Sequence, residues 1–172
     1  GGYPAYSSGY RRYNCQVGRW GRQKALVDFR AYAALDDAYP TVRLMQGAPK
    51  NLKVEALLDY SRRIPPLPEH IDAGELEQVH ECQSPFFLAT EVDDDSTVHL
   101  FFDAPQEAPT VRGFAGILLD GLDGEQAQVI LDVPDDFFYD MGLEEVVTPM
   151  RLRGMGAILA RIKRQVGQAV SA

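Results

Sequence analysis

The chain has 172 residues, of which 45% are hydrophobic and 24% are charged, and its formal net charge is −8. This length fits one domain, and the composition is typical of globular proteins that bury most of their apolar surface without disulfides or a structural metal. An acidic surface repels phosphate backbones and anionic lipids. The charge therefore argues against nucleic acids and membrane surfaces as partners.

The cysteine content indicates a reducing compartment. Cys15 and Cys82 are the two cysteines of the sequence, too few for a disulfide framework. Nothing in the sequence resembles a secretory signal peptide, and no apolar run approaches the roughly 20 residues that span a bilayer. We therefore expect a cytoplasmic protein whose cysteines are buried or reactive thiols.

The sequence divides into an extension and one domain. Residues 1 to 35 are rich in Gly, Tyr and Arg and lack a sustained hydrophobic period, so we interpret them as an N-terminal extension outside the domain. Residues 36 to 172 have the patterns of a folded domain.

The domain begins with helical signals. Pro40 and the short apolar stripe that follows predict a helix ending near Gly47. Residues 49 to 63 predict a second helix, with Leu52 on its apolar face. The proline-rich run 64 to 68 ends this helix, because proline lacks the amide donor and disfavours helix in the residue before it.

Three strands and a set of helices are predicted next. Residues 76 to 80, 86 to 92 and 97 to 102 have strand patterns, and the acidic link 93 to 96 predicts a hairpin. Helices are predicted to start at the following positions: Pro109, Gln126, Pro134 and Pro149. The order predicts an α+β domain of two layers, with a small antiparallel three-stranded sheet and helices packed on one face.

Cys82 is the candidate reactive residue. It lies in a short predicted loop between two strands, where reactive groups are often held. A thiol reacts as its thiolate, which a protonated His80 would favour and Glu81 would oppose. The alternatives are an inert buried thiol and a zinc set with the three histidines, but no CxxC or HExxH accompanies them, so we predict no metal site.

Two arginines near predicted helix starts are further candidates. Arg112 and Arg151 are each either an ordinary surface arginine or a cation that faces the Cys82 loop and favours an anionic sulfur.

Three motifs resemble the SufE family, also called the iron–sulfur metabolism associated domain. Val79-His80-Glu81-Cys82-Gln83-Ser84 is similar to the family's V-x-G-C-Q-S loop. Residues 107 to 113 resemble a D-A-x-I-V-K-G helix start, and residues 142 to 155 resemble G-L-x-x-H-L-S-P-S-R-S-N-G-L. The motifs occur in family order, and the resemblance covers roughly residues 36 to 170.

The resemblance implies a sulfur carrier rather than an independent enzyme. A SufS-type cysteine desulfurase, which uses pyridoxal phosphate, passes persulfide sulfur to Cys82 and is stimulated by its removal. The SufBCD scaffold then receives the sulfur for iron–sulfur cluster assembly, and the carrier needs no cofactor of its own. The residues implied to support the cysteine loop or the partner contact are these: His80, Gln83, Ser84, Glu107, Arg112 and Arg151.

The sequence also departs from the motifs and leaves rival functions open. Glu81 replaces the glycine before the cysteine, and Val146 occupies the place of the histidine in H-L-S-P. A binding activator of a desulfurase, without sulfur transfer, is the main alternative. A scaffold that assembles clusters itself would need about three or four ligands, and the domain has one cysteine. A hydrolytic cysteine enzyme is a further alternative, although no signature of one is present.

Overall fold

The computed structural model describes residues 45–172. The extension predicted for residues 1 to 35 and the start of the helix predicted at Pro40 therefore lie outside the described residues. Among residues 45–172, none of the helices combines the length and the hydropathy that crossing a membrane requires.

The sheet has three antiparallel strands in the order β1-β2-β3. The strands are β1 (Glu77–Gln78), β2 (Phe87–Val92) and β3 (Val98–Asp103). The predicted hairpin between β2 and β3 is confirmed, with the left-handed φ of 67° that its tight turn requires at Ser96. The first strand is shorter than the predicted 76 to 80, because its pairing with β2 ends where the chain turns away into the Cys82 loop.

Residues 45–47 are helical, and five further α-helices lie wholly within the described part of the chain. They are α1 (Lys50–Ser61), α2 (Pro109–Leu122), α3 (Ala127–Leu131), α4 (Phe137–Asp140) and α5 (Pro149–Ser171). Proline occupies the first turn of α2 and α5, where its missing amide costs nothing. The Thr148 hydroxyl caps α5 by accepting from the Arg151 amide at 3.4 Å.

The core lies between the sheet and two long helices. Helix α5 packs against β2 and helix α2 against β3. Alternate residues of β3, which are Val98, Leu100 and Phe102, are buried beneath these helices together with Leu88 of β2. The two-layer α+β prediction is therefore confirmed, with helices on the buried face of a three-stranded sheet.

The backbones of helices α1 and α2 lie in close contact. A Cβ atom added at Gly113 would lie 2.4 Å from the Leu57 carbonyl oxygen, and one at Gly116 would lie 2.3 Å from the Tyr60 carbonyl oxygen. Only glycine permits such an approach. The two glycines therefore set the distance between these helices.

One detail of the prediction for helix α1 is wrong. The sequence pattern places Leu52 on the apolar face, but its side chain is 48% exposed, while the neighbouring Lys53 is 1% exposed. Lys53 Nζ donates to the Ala48 carbonyl oxygen at 3.1 Å and to Glu145 Oε1 at 2.7 Å. Burial of this cation is offset by an ion pair with a residue remote in sequence, which a local hydrophobic pattern cannot anticipate.

Candidate functional site

The Cys82 loop joins β1 to β2 as a closed turn. Val79 donates its amide proton to the Phe86 carbonyl oxygen at 2.8 Å, which extends the strand pairing by one step to the base of the loop. Cys82 donates its own amide proton to the Val79 carbonyl oxygen at 3.2 Å. Val79 and Phe86 are both buried, so the base of the loop is anchored in the core. The rigid base holds the cysteine in a defined place.

Cys82 rests against helix α5 at a glycine. The thiol is half-buried, and a Cβ atom added at Gly154 would lie 3.1 Å from Cys82 Sγ and 3.7 Å from the Glu81 carbonyl oxygen. The missing side chain at Gly154 therefore creates the space that the loop occupies.

Arg161 joins the Cys82 loop to strand β1 from helix α5. Its Nη1 atom lies 2.9 Å from Glu81 Oε1, and its Nε atom donates to Glu77 Oε2 at 3.2 Å. Arg164 pairs with the same Glu77 carboxylate, and Gln165 donates to its other oxygen at 2.8 Å. The loop, the strand and the helix thus share one ionic network beside the cysteine.

The surroundings of the thiol favour its protonated form. Burial raises the pKa of Cys82 to about 11, the Glu81 carboxylate acts in the same direction, and the Arg161 cation opposes them. Hydrogen bonding to its own backbone amide and to Arg161 holds the pKa of Glu81 below its usual range, so this carboxylate is anionic at neutral pH. The isolated protein therefore holds Cys82 in a protected, neutral state.

This protection predicts a steep pH dependence of alkylation. With a Cys82 pKa of about 11, the thiolate fraction and hence the rate with iodoacetamide should rise about tenfold per pH unit from about pH 7 to about pH 10. The measurement uses the Cys15→Ser variant so that one thiol reacts. The same chain in denaturant should instead level off above about pH 9.5, and a native profile that levels off there would contradict the protected state.

The contact with Gly154 gives a second prediction. In Gly154→Ala the new Cβ atom, 3.1 Å from Cys82 Sγ, would push the thiol toward solvent. We expect the pKa of Cys82 to fall by about half a unit, and alkylation at pH 8 to accelerate about threefold. Gly156→Ala on the same helix is the matched control, because its nearest contact, Phe138 Cζ at 3.7 Å, is an ordinary one. Equal rates in the two variants would show that Gly154 does not shape the loop.

Four of the predicted supporting residues lie in or near this loop. His80 and Gln83 are exposed, and Ser84 is half-buried. Arg151 lies on α5 one turn before Gly154, and its backbone takes part in the cap of that helix. Their roles in partner contact stay predictions.

The remaining two lie on helix α2 and in the segment that precedes it. Arg112 on α2 donates to the Ala104 carbonyl oxygen at 2.6 Å and to the Ser61 carbonyl oxygen at 3.2 Å, which ties the end of α1 to the segment after β3. Glu107 is exposed in that segment. Any role of these two in sulfur transfer also stays a prediction.

Sequence analysis missed two residues that touch the loop. Gly154 falls within the third motif, residues 142 to 155, but has no role assigned there, and Arg161 on helix α5 is not among the candidates. Their spacing of seven residues places them on the same face of α5, which is the signal that could have joined them. Within residues 45–172, no three His, Cys, Asp or Glu side chains are grouped so that they could hold a metal ion.

The fold and the site define a small α+β domain that carries one half-buried cysteine on the loop between its first two strands, within the part that the structure describes. Residues 41–166 match the SufE family, whose description is Fe-S metabolism associated domain, and the chain belongs to this family. Membership associates the protein with sulfur transfer and with a cysteine desulfurase.

Known relatives and a solved structure agree with this assignment. An uncharacterized SufE-like protein of Mycobacterium tuberculosis is 50% identical over 117 residues, which cover 68% of this chain and 82% of the relative. The cysteine desulfuration protein SufE of Plasmodium vivax is 26% identical over 126 residues, covering 72% of this chain and 50% of that protein. A hypothetical protein of Thermus thermophilus, solved in solution, superimposes with a TM-score of 0.68 and 44% identity, covering 76% of this chain and 93% of that one.

Proposed function

We propose that Cys82 accepts persulfide sulfur from a SufS-type cysteine desulfurase in the cytoplasm and delivers it to the SufBCD scaffold for iron–sulfur cluster assembly. The observation that carries this proposal is the Cys82 thiol, which an anchored loop holds against Gly154 in a domain of the SufE family. Pyridoxal phosphate belongs to the desulfurase, and we propose no cofactor for this chain.

The transfer requires only thiol–persulfide exchange. The Cys82 thiolate attacks the outer sulfur of the desulfurase persulfide, and a new S–S bond forms as the bond to the desulfurase cysteine breaks. The electron pair leaves on the desulfurase sulfur as a thiolate. No external oxidant or reductant enters the step, because the outer sulfur carries its oxidation state to Cys82.

The protected thiol gives the desulfurase a further part in this step. With a pKa of about 11, Cys82 holds very little thiolate at neutral pH. Docking must therefore bring the thiol out of its half-buried position or place a cation beside it. This arrangement limits reaction with oxidants and stray thiols before the partner arrives.

Removal of persulfide should also accelerate the desulfurase. A desulfurase that retains sulfur on its cysteine cannot begin another cycle, so an efficient acceptor raises turnover. The residues proposed to contact the partner are those exposed beside the thiol, His80 and Gln83, with Ser84 and Arg151 nearby.

Intact mass spectrometry tests the proposal. The protein is mixed with a SufS-type desulfurase, pyridoxal phosphate and cysteine, and its mass is measured with and without reductant. A reductant-labile gain of about 32 Da, one sulfur, is the expected result. Raised desulfurase turnover with no added sulfur would instead establish a binding activator. If the protein gains no sulfur and turnover does not rise, both functions are refuted.

A further inference from the structure

The thiol–persulfide exchange step forms and breaks no bond to the residues of the ionic network beside Cys82. The network places one arginine of α5 between a carboxylate of the cysteine loop and a carboxylate of strand β1, with Arg161 2.9 Å from Glu81 and 3.2 Å from Glu77. The residue that Glu81 immediately precedes is the cysteine itself. An ion pair at Glu81 therefore restrains movement of the Cys82 loop away from helix α5.

The two ends of the Glu81–Arg161 pair differ in how firmly they are held. The Arg161 side chain is 19% exposed, lies in the middle of a long helix and is anchored by Glu77, which Arg164 and Gln165 also hold. The Glu81 side chain is 51% exposed and belongs to the loop. Arg161 is therefore held in place on helix α5, whereas Glu81 can move away from it with the loop.

We propose that the Glu81–Arg161 ion pair is a latch that keeps the Cys82 loop closed on helix α5, and that Arg161 is a positioning residue for this loop. The proposal rests on the proposed function only in that the closed loop is assigned to the resting sulfur acceptor. Opening the latch separates Cys82 from Gly154, and exposure removes the burial that raises the pKa of Cys82.

The latch depends on the residue before the cysteine. The V-x-G-C-Q-S motif has glycine at this position, whereas this chain has Glu81. Glycine has no side chain with which to reach Arg161. In this chain, Glu81 thus stabilises the closed loop in a way that a glycine at the same position could not.

Amide hydrogen exchange at Cys82, followed by NMR, measures loop opening without dependence on thiol ionisation. The Cys82 amide donates to the Val79 carbonyl oxygen at 3.2 Å, a bond that the closed turn makes and that an opened loop breaks. Exchange is measured in the full chain for wild type, Glu81→Gln, Arg161→Gln and the double variant, and each Cys82 rate is compared with the rate of the same amide in the unfolded chain of that variant, because the residue before an amide alters its intrinsic exchange. Glu55→Gln, which removes an exposed carboxylate from α1, is the matched control. Amides of the buried residues Ile117 and Leu118 report global opening.

A partly exposed ion pair predicts a moderate and non-additive effect. Each single variant should accelerate Cys82 exchange about twofold to fivefold, and the double variant should add little to either one. Raised salt should accelerate exchange in wild type and have less effect in Glu81→Gln. Arg161→Lys keeps the positive charge but loses the planar guanidinium that bonds Glu81 and Glu77 through separate nitrogens. Its Cys82 exchange rate should therefore lie between those of wild type and Arg161→Gln.

Several results would overturn the latch. Unchanged exchange in Glu81→Gln, additive effects in the double variant, or equal exchange in Arg161→Lys and Arg161→Gln would each contradict it. Acceleration at Ile117 and Leu118 equal to that at Cys82 would show global destabilisation instead. Because no desulfurase is present, failure here leaves sulfur transfer untouched, and failure of sulfur transfer leaves the exchange result standing.

Discussion

The Cys82→Ser variant is expected to take up no sulfur and to leave desulfurase turnover at the level of the desulfurase alone. A serine hydroxyl fits the space of the thiol but cannot form a persulfide by exchange, so the covalent step is lost completely. Turnover is measured as alanine produced from cysteine, at saturating concentrations of the variant. The fold should be retained, because the residue is half-buried and the substitution is nearly isosteric.

The second cysteine of the chain supplies the matched control. Cys15→Ser removes the other thiol, which lies outside the described residues, and should leave both sulfur uptake and turnover unchanged. If Cys82→Ser still stimulates the desulfurase fully, the protein is a binding activator. If Cys15→Ser loses sulfur uptake, Cys82 is not the acceptor.

The Gly116→Ala variant is expected to lose about 3 kcal/mol of unfolding free energy. Its new Cβ atom would lie 2.3 Å from the Tyr60 carbonyl oxygen, so helix α1 must move away from α2 and their shared packing must loosen. Backbone atoms cannot rotate out of the way as a flexible side chain can. Urea unfolding followed by circular dichroism measures the change.

Gly167→Ala is the control for this effect. Position 167 is also helical, and a Cβ atom there would meet only Leu131 Cδ2 at 4.0 Å. Alanine is the better helix former, so this variant should gain up to about 1 kcal/mol. A Gly116→Ala protein as stable as Gly167→Ala would mean that the two helices are not in close backbone contact.

Local signals were sufficient to predict most of the elements. Pro109 and the pair Thr148-Pro149 mark the starts of two helices because proline and a capping hydroxyl satisfy needs that arise only at a helix N-terminus. The acidic run 93 to 96 marks the hairpin for a similar reason, since the Asp93 and Asp95 carboxylates both accept from the Thr97 amide at the end of the turn. Each of these signals concerns neighbours in sequence.

Contacts between segments that are remote in sequence could not be predicted from local sequence patterns. Burial of Lys53 depends on Glu145, and the resting place of Cys82 depends on Gly154 and Arg161, which a different element supplies. The loop position of Cys82 was predictable because two strand patterns flank it. The raised pKa of Cys82 was not predictable, because its largest cause is burial, which arises only when remote segments pack together.

Arg112 shows what a motif alone leaves undetermined. Its position in a motif implies support of the cysteine loop or of the partner contact, which stays a prediction, and in the structure its guanidinium donates to the carbonyl oxygens of Ala104 and Ser61. A motif identifies which positions belong to a family pattern. It does not separate those that hold helices together from those that meet the reacting atoms.

Peptide mapping of the added sulfur tests the central claim most directly. After reaction with desulfurase and cysteine, the protein is rapidly alkylated without reductant, digested and analysed by tandem mass spectrometry, so that persulfide and thiol carry different masses. The account predicts the extra sulfur on the peptide that contains Cys82 and unmodified thiol at Cys15. Sulfur on Cys15, or on neither cysteine, would contradict it.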